Sequence, residues 1–376
     1  MHKRTRLWVL VGLFAALSIV ATACSSGGNG SGGSGSNTGS GSSGGSTGGA
    51  PNLSGELNGA GSSAQQAAQT AWIATFTGNY PDLTINYDPS GSGAGREQFE
   101  GGGVDFAGSD AYLADDELTK AQQRCGGANN VIELPVYISP IAVAFNVSGV
   151  NSLNLSPEVI AKIFTGDITK WNDPAIAQLN QGESLPATTI TPVHRSDDSG
   201  TTQNFTEYLS AAAPDVWTYP PDDTWPIHGG ESAEGTSGVV DAVTKGDGTI
   251  TYADASQTGD LGNAKVQVNG EFVEHTADAA SAVIDSSTPV SGRGPYDHAI
   301  DVNRTPKGSE YPIVLLSYEL ACTQYDDPQT AANVKGYLSY IVSAEGQQLA
   351  AQNAGSAPIS DQLRQEAQTA IDAIQT

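Results

Sequence analysis

Hydrophobic residues follow two spacings along most of this chain, and the two spacings alternate. Apolar and small residues three or four positions apart predict helices, whereas alternating or continuous apolar runs predict strands. The predicted helices cover residues 64–76, 96–100, 156–164, 174–179, a segment ending at 209, 238–245, 329–343 and 360–374. The predicted strands cover residues 83–87, 104–107, 131–147, 190–193, 249–252 and 312–320. Strands that alternate with helices predict an α/β protein.

The longest predicted strand, residues 131–147, contains Pro135 and Pro140. We interpret it as a hinge crossing between two domains. A chain of 376 residues is long enough for two domains of ordinary size.

The first 23 residues have the pattern of an export signal. Three basic residues among the first six precede an apolar run over residues 7–23, which ends in small residues before Cys24. This pattern is typical of a signal peptide. Cys24 resembles the cysteine in the lipobox of bacterial lipoproteins, although Ala21 stands where leucine is usual. We expect residues 1–23 to be removed and Cys24 to be lipidated; ordinary cleavage that leaves a free cysteine is the alternative.

A tether is predicted over residues 24–52. Of the 26 residues from 25 to 50, 12 are glycine and 9 are serine, with no charge and no large apolar side chain. Such a segment cannot bury a core, and its reach is roughly 25–30 Å. We therefore expect an exported protein, anchored by lipid to the outer face of the cytoplasmic membrane.

The charge of the chain excludes several kinds of partner. There are 16 basic and 41 acidic residues, a formal net charge of −25. So acidic a surface argues against nucleic acids and against docking on membranes through basic residues. It also repels anions at long range, so an anion site must act through local dipoles and short hydrogen bonds.

Two cysteines, Cys125 and Cys322, remain after Cys24. In an oxidising compartment two cysteines more often pair than stay free. We expect a structural disulfide between them.

Three segments rich in serine and glycine stand where a predicted helix begins. They are GAGSSAQ (59–65), SGSGAGREQF (90–99) and RSDDSGTTQNF (195–205). The first turn of a helix has unpaired backbone N–H groups and the positive end of the helix dipole, so it suits an anion. Each segment alone is most often a plain helix cap. Three of them in an exported chain predict a site for a compact oxyanion.

Asp110 is the unexpected member of this site, because a carboxylate repels an anion. It suits a ligand with a proton to donate: phosphate keeps one or two protons near neutral pH, whereas sulfate keeps none. Taken alone, Asp110 could merely cap a helix, and Arg195 could form a surface ion pair with Asp197. The candidate ligands are Ser63, Ala64 (through its backbone N–H), Ser92, Asp110, Arg195, Ser199, Gly200 and Thr201.

The motifs GAGSSAQ, YDPSGSGAG, DFAGSDAYL and HRSDDSGTTQNFTEYL, in this order and spacing, resemble those of the phosphate-binding lipoproteins of bacterial phosphate ABC importers. IFTGDITKWNDPAIAQLN is also similar to a segment of that family. The resemblance covers residues 57 to about 352. It implies a two-lobed periplasmic-binding-protein fold of type II that closes on one phosphate, with no cofactor, no metal and no catalysis. Domain I would contain residues 53–145 and 306–376, and domain II residues 146–305.

The resemblance also implies roles and partners. Asp110 would accept the proton of the phosphate, and Asp197 would hold Arg195. Ser63, the Ala64 N–H and Ser92 would donate from one lobe, and Arg195, Ser199, Gly200 and Thr201 would act from the other. The implied partners are inorganic phosphate, the permease subunits of the importer and the membrane through the N-terminal lipid; a monomer is expected.

Two positions depart from the family pattern. Asp198 stands where glycine is usual, and Ala64 stands where an aromatic residue is common. The extra carboxylate could weaken anion binding or point outward, and Ala64 lacks a ring that would shield the site.

Three other interpretations stay open at this stage. The first is a receptor for another oxyanion on the same fold, against which Asp110 argues. The second is a secreted phosphatase, although the histidines after the signal have no metal-ligand spacing: His194, His228, His275 and His298. The third is a dinucleotide-binding domain, because residues 59–64 fit a weak G-x-G-x-x-A pattern.

Overall fold

The computed structural model describes residues 52–375, which form an α/β structure as predicted. The predicted signal peptide, Cys24 and most of the tether lie outside the described residues. The strands are β1 Gly55–Gly61, β2 Leu83–Asp88, β3 Phe106–Ser109, β4 Val131–Asn146, β5 Ser152–Leu155, β6 Thr191–Arg195, β7 Glu231–Ala233, β8 Thr249–Asp254, β9 Gly262–Val268, β10 Glu271–Val273, β11 Thr288–Pro289, β12 Ile300–Asp301 and β13 Val314–Cys322.

The helices cover the outer faces of these strands. They are α1 Gln66–Asn79, α2 Ser92–Glu100, α3 Asp115–Arg124, α4 Pro157–Thr165, α5 Pro174–Leu179, α6 Gly200–Ala212, α7 Gly235–Lys245, α8 Ala277–Asp285, α9 Pro328–Val342, α10 Ala344–Ala354 and α11 Asp361–Asp372. Several start at a side-chain cap of the expected kind; for example, the Ser199 hydroxyl accepts the Thr202 N–H.

One curled sheet contains most of the strands, in the order β2-β1-β3-β13-β4-β8-β6-β7, with β9 attached to β4 and carrying β5 and β10. β1 is parallel to β2 and β3, and β6 is parallel to β7 and β8. β13 is inserted antiparallel between β3 and β4. In each half of the sheet, the carboxyl ends of the parallel strands therefore lie at one edge, which is where ligands bind in open α/β sheets.

β4 connects the two halves. Its residues 131–140 pair with β13, and its residues 141–146 pair with β8. We call the part built on β1, β2, β3, β13 and residues 131–140 the first lobe, and the part built on β5 to β10 and residues 141–146 the second lobe. β4 is buried along nearly its whole length because both lobes pack on it.

A disulfide and a buried hydrogen bond join distant segments of the first lobe. Cys125, after α3, and Cys322, at the end of β13, are joined by a disulfide with Cα atoms 5.3 Å apart. The fully buried Trp72 of α1 donates its indole N–H to the Gly346 carbonyl of α10 at 2.7 Å. No helix within residues 52–375 is both long and apolar enough to cross a membrane.

Candidate anion-binding site

Four helix N-termini meet between the lobes. α1 and α2 follow the parallel strands β1 and β2, and α6 and α7 follow β6 and β7. The Gly91 N–H donates to the Gly61 carbonyl at 2.9 Å, and the Thr236 N–H donates to Ser63 Oγ at 3.0 Å. A Cβ on Gly200 would lie 2.8 Å from Ser92 Oγ, so this close approach requires glycine. Helix starts of both lobes therefore contribute to one cleft.

Asp110 lies at the centre of this cleft, directly after β3, and is 3% exposed. Its Oδ1 accepts from the hydroxyls of Ser62 at 2.5 Å and Ser317 at 2.7 Å, and its Oδ2 accepts from Thr201 Oγ1 at 3.2 Å. Burial raises the pKa of Asp110, and these hydrogen bonds and the charge of Arg195 only partly oppose that effect. The carboxylate is thus an acceptor surrounded by neutral donors.

Arg195, the last residue of β6, carries the positive charge of the cleft and is 3% exposed. Its Nε donates to Asp197 Oδ1 at 2.8 Å, and its Nη2 contacts Oδ2 of the same carboxylate. The Gly235 N–H also donates to Asp197. Burial alone would raise the pKa of Asp197, but the hydrogen bonds and charge of Arg195 outweigh it and lower that pKa. This bidentate pair fixes the plane of the guanidinium.

The other predicted residues lie around these two side chains. Ser92 Oγ accepts the Asp110 N–H at 3.1 Å, and the Ala64 N–H donates to Ser62 Oγ at 3.1 Å. Ser199 caps α6, of which Gly200 is the first residue. The structure thus brings all eight candidate ligands to one cleft, with Asp197 beside them as expected.

Four further residues belong to the same cleft: Ser62, Ser317, Thr236 and Asn204. The segment EGTSG at 234–238 had the same serine and glycine design as the three turns, and it begins α7. Ser317 was visible as the only serine of a largely apolar strand. Asn204 Nδ2 donates to the Asp110 carbonyl at 2.6 Å and holds α6 against β3.

Asp198, which departs from the family pattern, is turned away from the cleft. Its side chain is exposed, and its Oδ1 accepts from Thr224 Oγ1 at 3.0 Å. Its backbone carbonyl accepts the Gly93 N–H at 3.0 Å, so this residue joins the two lobes through its main chain.

A second contact between the lobes lies close by. The buried Arg96 of α2 contacts Glu117 Oε1 at 2.7 Å within the first lobe and Asp223 Oδ2 at 2.6 Å across the cleft. Burial raises the pKa of Asp223 despite this pairing. The two lobes are therefore in contact around the site. Within residues 52–375, no group of three or more histidine, cysteine, aspartate or glutamate side chains is arranged to hold a metal ion.

Comparison with known proteins identifies the family. The family model described as a PBP superfamily domain matches residues 34–345. Phosphate-binding protein PstS3 of Mycobacterium bovis is 39% identical over 317 residues, which cover 82% of this chain and 84% of that protein. PstS 2 of Mycobacterium tuberculosis is 33% identical over 381 residues, covering 99% of this chain and 100% of that protein. This chain belongs to the PstS family of phosphate-binding proteins.

Solved structures agree on the fold. The periplasmic phosphate-binding protein PfluDING, solved with phosphate bound, has a TM-score of 0.68 at 22% identity and covers 84% of this chain and 93% of its own. The phosphate-binding protein of Stenotrophomonas maltophilia has a TM-score of 0.66 at 21% identity, with coverages of 84% and 94%. The predicted two-lobed periplasmic-binding-protein fold is confirmed.

Proposed function

We propose that this protein binds inorganic phosphate in the cleft between its lobes and delivers it to an ABC-type phosphate permease, without catalysing a reaction. The observation that carries the proposal is the buried Asp110 carboxylate, placed among hydroxyl donors beside Arg195. A site for a fully deprotonated anion gains nothing from a buried acceptor. A site for a protonated oxyanion requires one.

Donors would surround the phosphate from both lobes. Ser63 and Ser92 would donate from the first lobe, together with the dipoles of α1 and α2. The Ala64 N–H, which donates to Ser62 Oγ at 3.1 Å, would be shared between Ser62 and the phosphate. Ser199 would donate from the second lobe through its hydroxyl, and Gly200 and Thr201 through the N–H groups of the first turn of α6, because the Thr201 hydroxyl donates to Asp110 Oδ2. Arg195, held by Asp197, would present its guanidinium in a fixed orientation. Asp110 would accept the proton that phosphate retains.

Rejection of sulfate follows from the same geometry. With sulfate in the cleft, the Asp110 carboxylate would face an oxygen without a proton, and neither atom could donate to the other. An unpaired buried polar group costs roughly 1–3 kcal/mol, and more when it is charged. A site built around a donated hydrogen bond rejects analogues without it by about 10⁴-fold or more.

We propose that domain I comprises residues 53–145 and 306–376 and domain II residues 146–305, with β4 as one hinge segment. The change of pairing partner within β4 supports this division. Phosphate would favour the closed arrangement only through its higher affinity for that state. We further propose that lipid on Cys24 and the tether over 24–52 keep the lobes at the outer face of the cytoplasmic membrane, near the permease.

Isothermal titration of the purified protein with phosphate, arsenate, sulfate and methylphosphonate tests the proposal. We expect tight binding of phosphate and arsenate, no measurable binding of sulfate, and phosphate that co-purifies with the protein. Equal affinity for sulfate would instead favour a general oxyanion receptor. Hydrolysis of p-nitrophenyl phosphate, lost in Ser199→Ala, would favour the phosphatase.

A further inference from the structure

A line of buried hydrogen bonds runs through the first lobe and ends at Asp110. Tyr337 Oη donates to Gln69 Oε1 at 2.7 Å, and Gln69 Nε2 donates to Gln65 Oε1 at 2.9 Å. Gln65 Nε2 donates to Ser317 Oγ at 2.7 Å, and Ser317 Oγ donates to Asp110 Oδ1 at 2.7 Å. All five side chains are at most 3% exposed. We call this set the donor chain.

The direction of the donor chain is fixed by a group that can only accept. Gln65 Nε2 also contacts the Tyr318 carbonyl at 3.2 Å, so the NH₂ end of Gln65 must face Ser317. The Gln65 carbonyl oxygen then faces Gln69, which must donate to it. Ser317 Oγ receives a hydrogen from Gln65 and has two acceptors for its own hydrogen, the Ser109 carbonyl at 3.3 Å and Asp110 Oδ1 at 2.7 Å. The shorter contact, to a carboxylate, is the stronger one, so this hydrogen is directed to Asp110. Every step therefore directs a donor toward the carboxylate, and aligned donors strengthen one another.

Ser62 reaches the same oxygen in the same way. Its Oγ accepts the backbone N–H groups of Ala64 at 3.1 Å and Gln65 at 3.2 Å. Its hydroxyl hydrogen is thus left for Asp110 Oδ1, at 2.5 Å. Among residues 52–375, Oδ1 has two donors with fixed directions, whereas Oδ2 has only Thr201, at 3.2 Å.

A β-bulge places Ser317 for this contact. Ser317 pairs with Tyr137 of β4, but the next residue, Tyr318, pairs with Pro135, so Val136 has no partner in β13. Proline lacks the N–H that a regular ladder would need. A bulge reorients the neighbouring side chains, and bulges are common beside functional sites.

We propose that Ser317, oriented by Gln65 and Gln69, is a positioning residue that keeps Asp110 an unprotonated acceptor and leaves Oδ2 as the atom presented to the ligand proton. This inference rests on the proposed phosphate-binding function and adds the residues that set its specificity. No role as a phosphate ligand is assigned to Ser317.

The hydrogen bonds that the Asp110 carboxylate oxygens accept come from neutral hydroxyls. Arg195 acts on Asp110 from the cleft side and Tyr87 lies on the sheet side, while Glu207, Asp301 and Arg304 line a small cavity beside it. Burial raises the pKa of Tyr87, which keeps it uncharged at neutral pH. The buried Glu319 behind the donor chain accepts from Gln69 Nε2 at 2.7 Å, and burial also raises its pKa.

Ser317→Ala tests the proposal through the phosphate affinity of the purified protein at pH 7.5 and pH 5.5. Loss of a hydrogen bond to a charged group predicts roughly 10-fold weaker phosphate binding at pH 7.5. At pH 5.5 we expect a larger loss of phosphate affinity, because Asp110 becomes protonated at higher pH in the variant. We also expect measurable binding of sulfate at this pH. The ratio of variant to unchanged protein at each pH cancels the titration of phosphate itself.

A ¹³C NMR titration of the Asp110 carboxyl without ligand measures the protonation directly, and we expect a higher pKa in Ser317→Ala. Thr323→Val is the matched control, because Thr323 is buried just beyond the same strand. Gln65→Met keeps Ser317 but removes its donor, and we expect a smaller change in the same direction. This second variant decides the question if Ser317→Ala does not fold.

The inference would be overturned if folded Ser317→Ala left both the Asp110 titration and the ratio of phosphate to sulfate affinity unchanged. If Ser317→Ala does not fold, the same two results in Gln65→Met would overturn it. If the unchanged protein does not bind phosphate, the proposed function fails instead. The ligand-free titration would still decide whether the donor chain keeps Asp110 deprotonated.

Discussion

The two carboxylates of the cleft, Asp110 and Asp197, are of one residue type, but their surroundings act on them in opposite directions. Asp197 is paired with Arg195, and this pairing lowers its pKa. Asp110 accepts from three hydroxyls, and burial raises its pKa. Both oxygens of Asp197 contact Arg195, whereas Asp110 Oδ2 can accept a further hydrogen bond besides that of Thr201.

This difference explains how an acidic protein can hold an anion. In the proposed site, the second lobe would supply attraction through one oriented guanidinium, and the first lobe would supply selectivity through one buried acceptor. Neither needs a positive surface around the cleft, which agrees with the net charge of −25. Substitutions in the two lobes can therefore separate attraction from selectivity.

Arg195→Ala should have the largest effect, because it removes the attraction and leaves Asp197 buried without its cation. Removing one partner of a buried ion pair costs roughly 2–5 kcal/mol, so we expect a loss of about 10³-fold in phosphate affinity by titration calorimetry. Arg364→Ala is the control, because Arg364 forms an ion pair with Asp361 at the surface. Equal small losses in both variants would show that Arg195 lies outside the site.

Asp110→Asn should weaken phosphate binding less, by about 10²-fold, because the amide keeps one acceptor oxygen but adds an NH₂ group. In the unchanged protein, affinity relative to Asp110→Asn should fall as pH falls through the raised pKa of Asp110, since a protonated carboxyl is a much weaker acceptor for the phosphate proton than a carboxylate. Calorimetry between pH 5 and pH 8 measures both effects. Asp105→Asn, a partly buried carboxylate before β3, is the control. A variant with unchanged affinity would contradict the role given to Asp110.

Asp223→Asn should change the rate of phosphate release rather than the preference for phosphate, because it breaks the ion pair with Arg96 across the cleft. We expect phosphate to dissociate about 10-fold faster in stopped-flow measurements, with a smaller change in the association rate. Release should also speed up as pH falls, because burial raises the pKa of Asp223 and protonation weakens the pair. The exposed neighbour Asp222→Asn should change neither rate. A changed preference between phosphate and sulfate would contradict this assignment.

Asp198→Gly should have the smallest effect, within about threefold in affinity, because exposed charges are screened by water and salt. The backbone contact from Gly93 to the Asp198 carbonyl is retained in this variant. A gain in affinity of tenfold or more would show that the carboxylate reaches the ligand.

The sequence was most informative where chemistry is local. The segments at 59–65, 90–99 and 195–205 could be recognised because serine and glycine at a helix start act within one turn. The α/β class and the long strand at β4 followed from hydrophobic spacing. Weakly apolar helices such as α10 were missed, because their glutamines and alanines give no clear face.

The residues that complete the site could not be predicted, because they depend on strands distant in sequence. Ser317 meets Asp110 across 207 positions, and only because β13 is inserted beside β3 with a bulge opposite Ser317 and Tyr318. Thr236 meets Ser63 across 173 positions and between lobes. The spacing of residues within one segment does not predict such contacts between distant segments.

A high-resolution crystal structure of the protein with phosphate bound would give the distance between Asp110 Oδ2 and the nearest phosphate oxygen, which decides whether Asp110 accepts the proton of the ligand. We predict one short hydrogen bond there, about 2.5–2.8 Å, with the Arg195 guanidinium on other oxygens of the same phosphate. A phosphate bound elsewhere, or one whose oxygens avoid Asp110 while Arg195 alone holds it, would contradict the account.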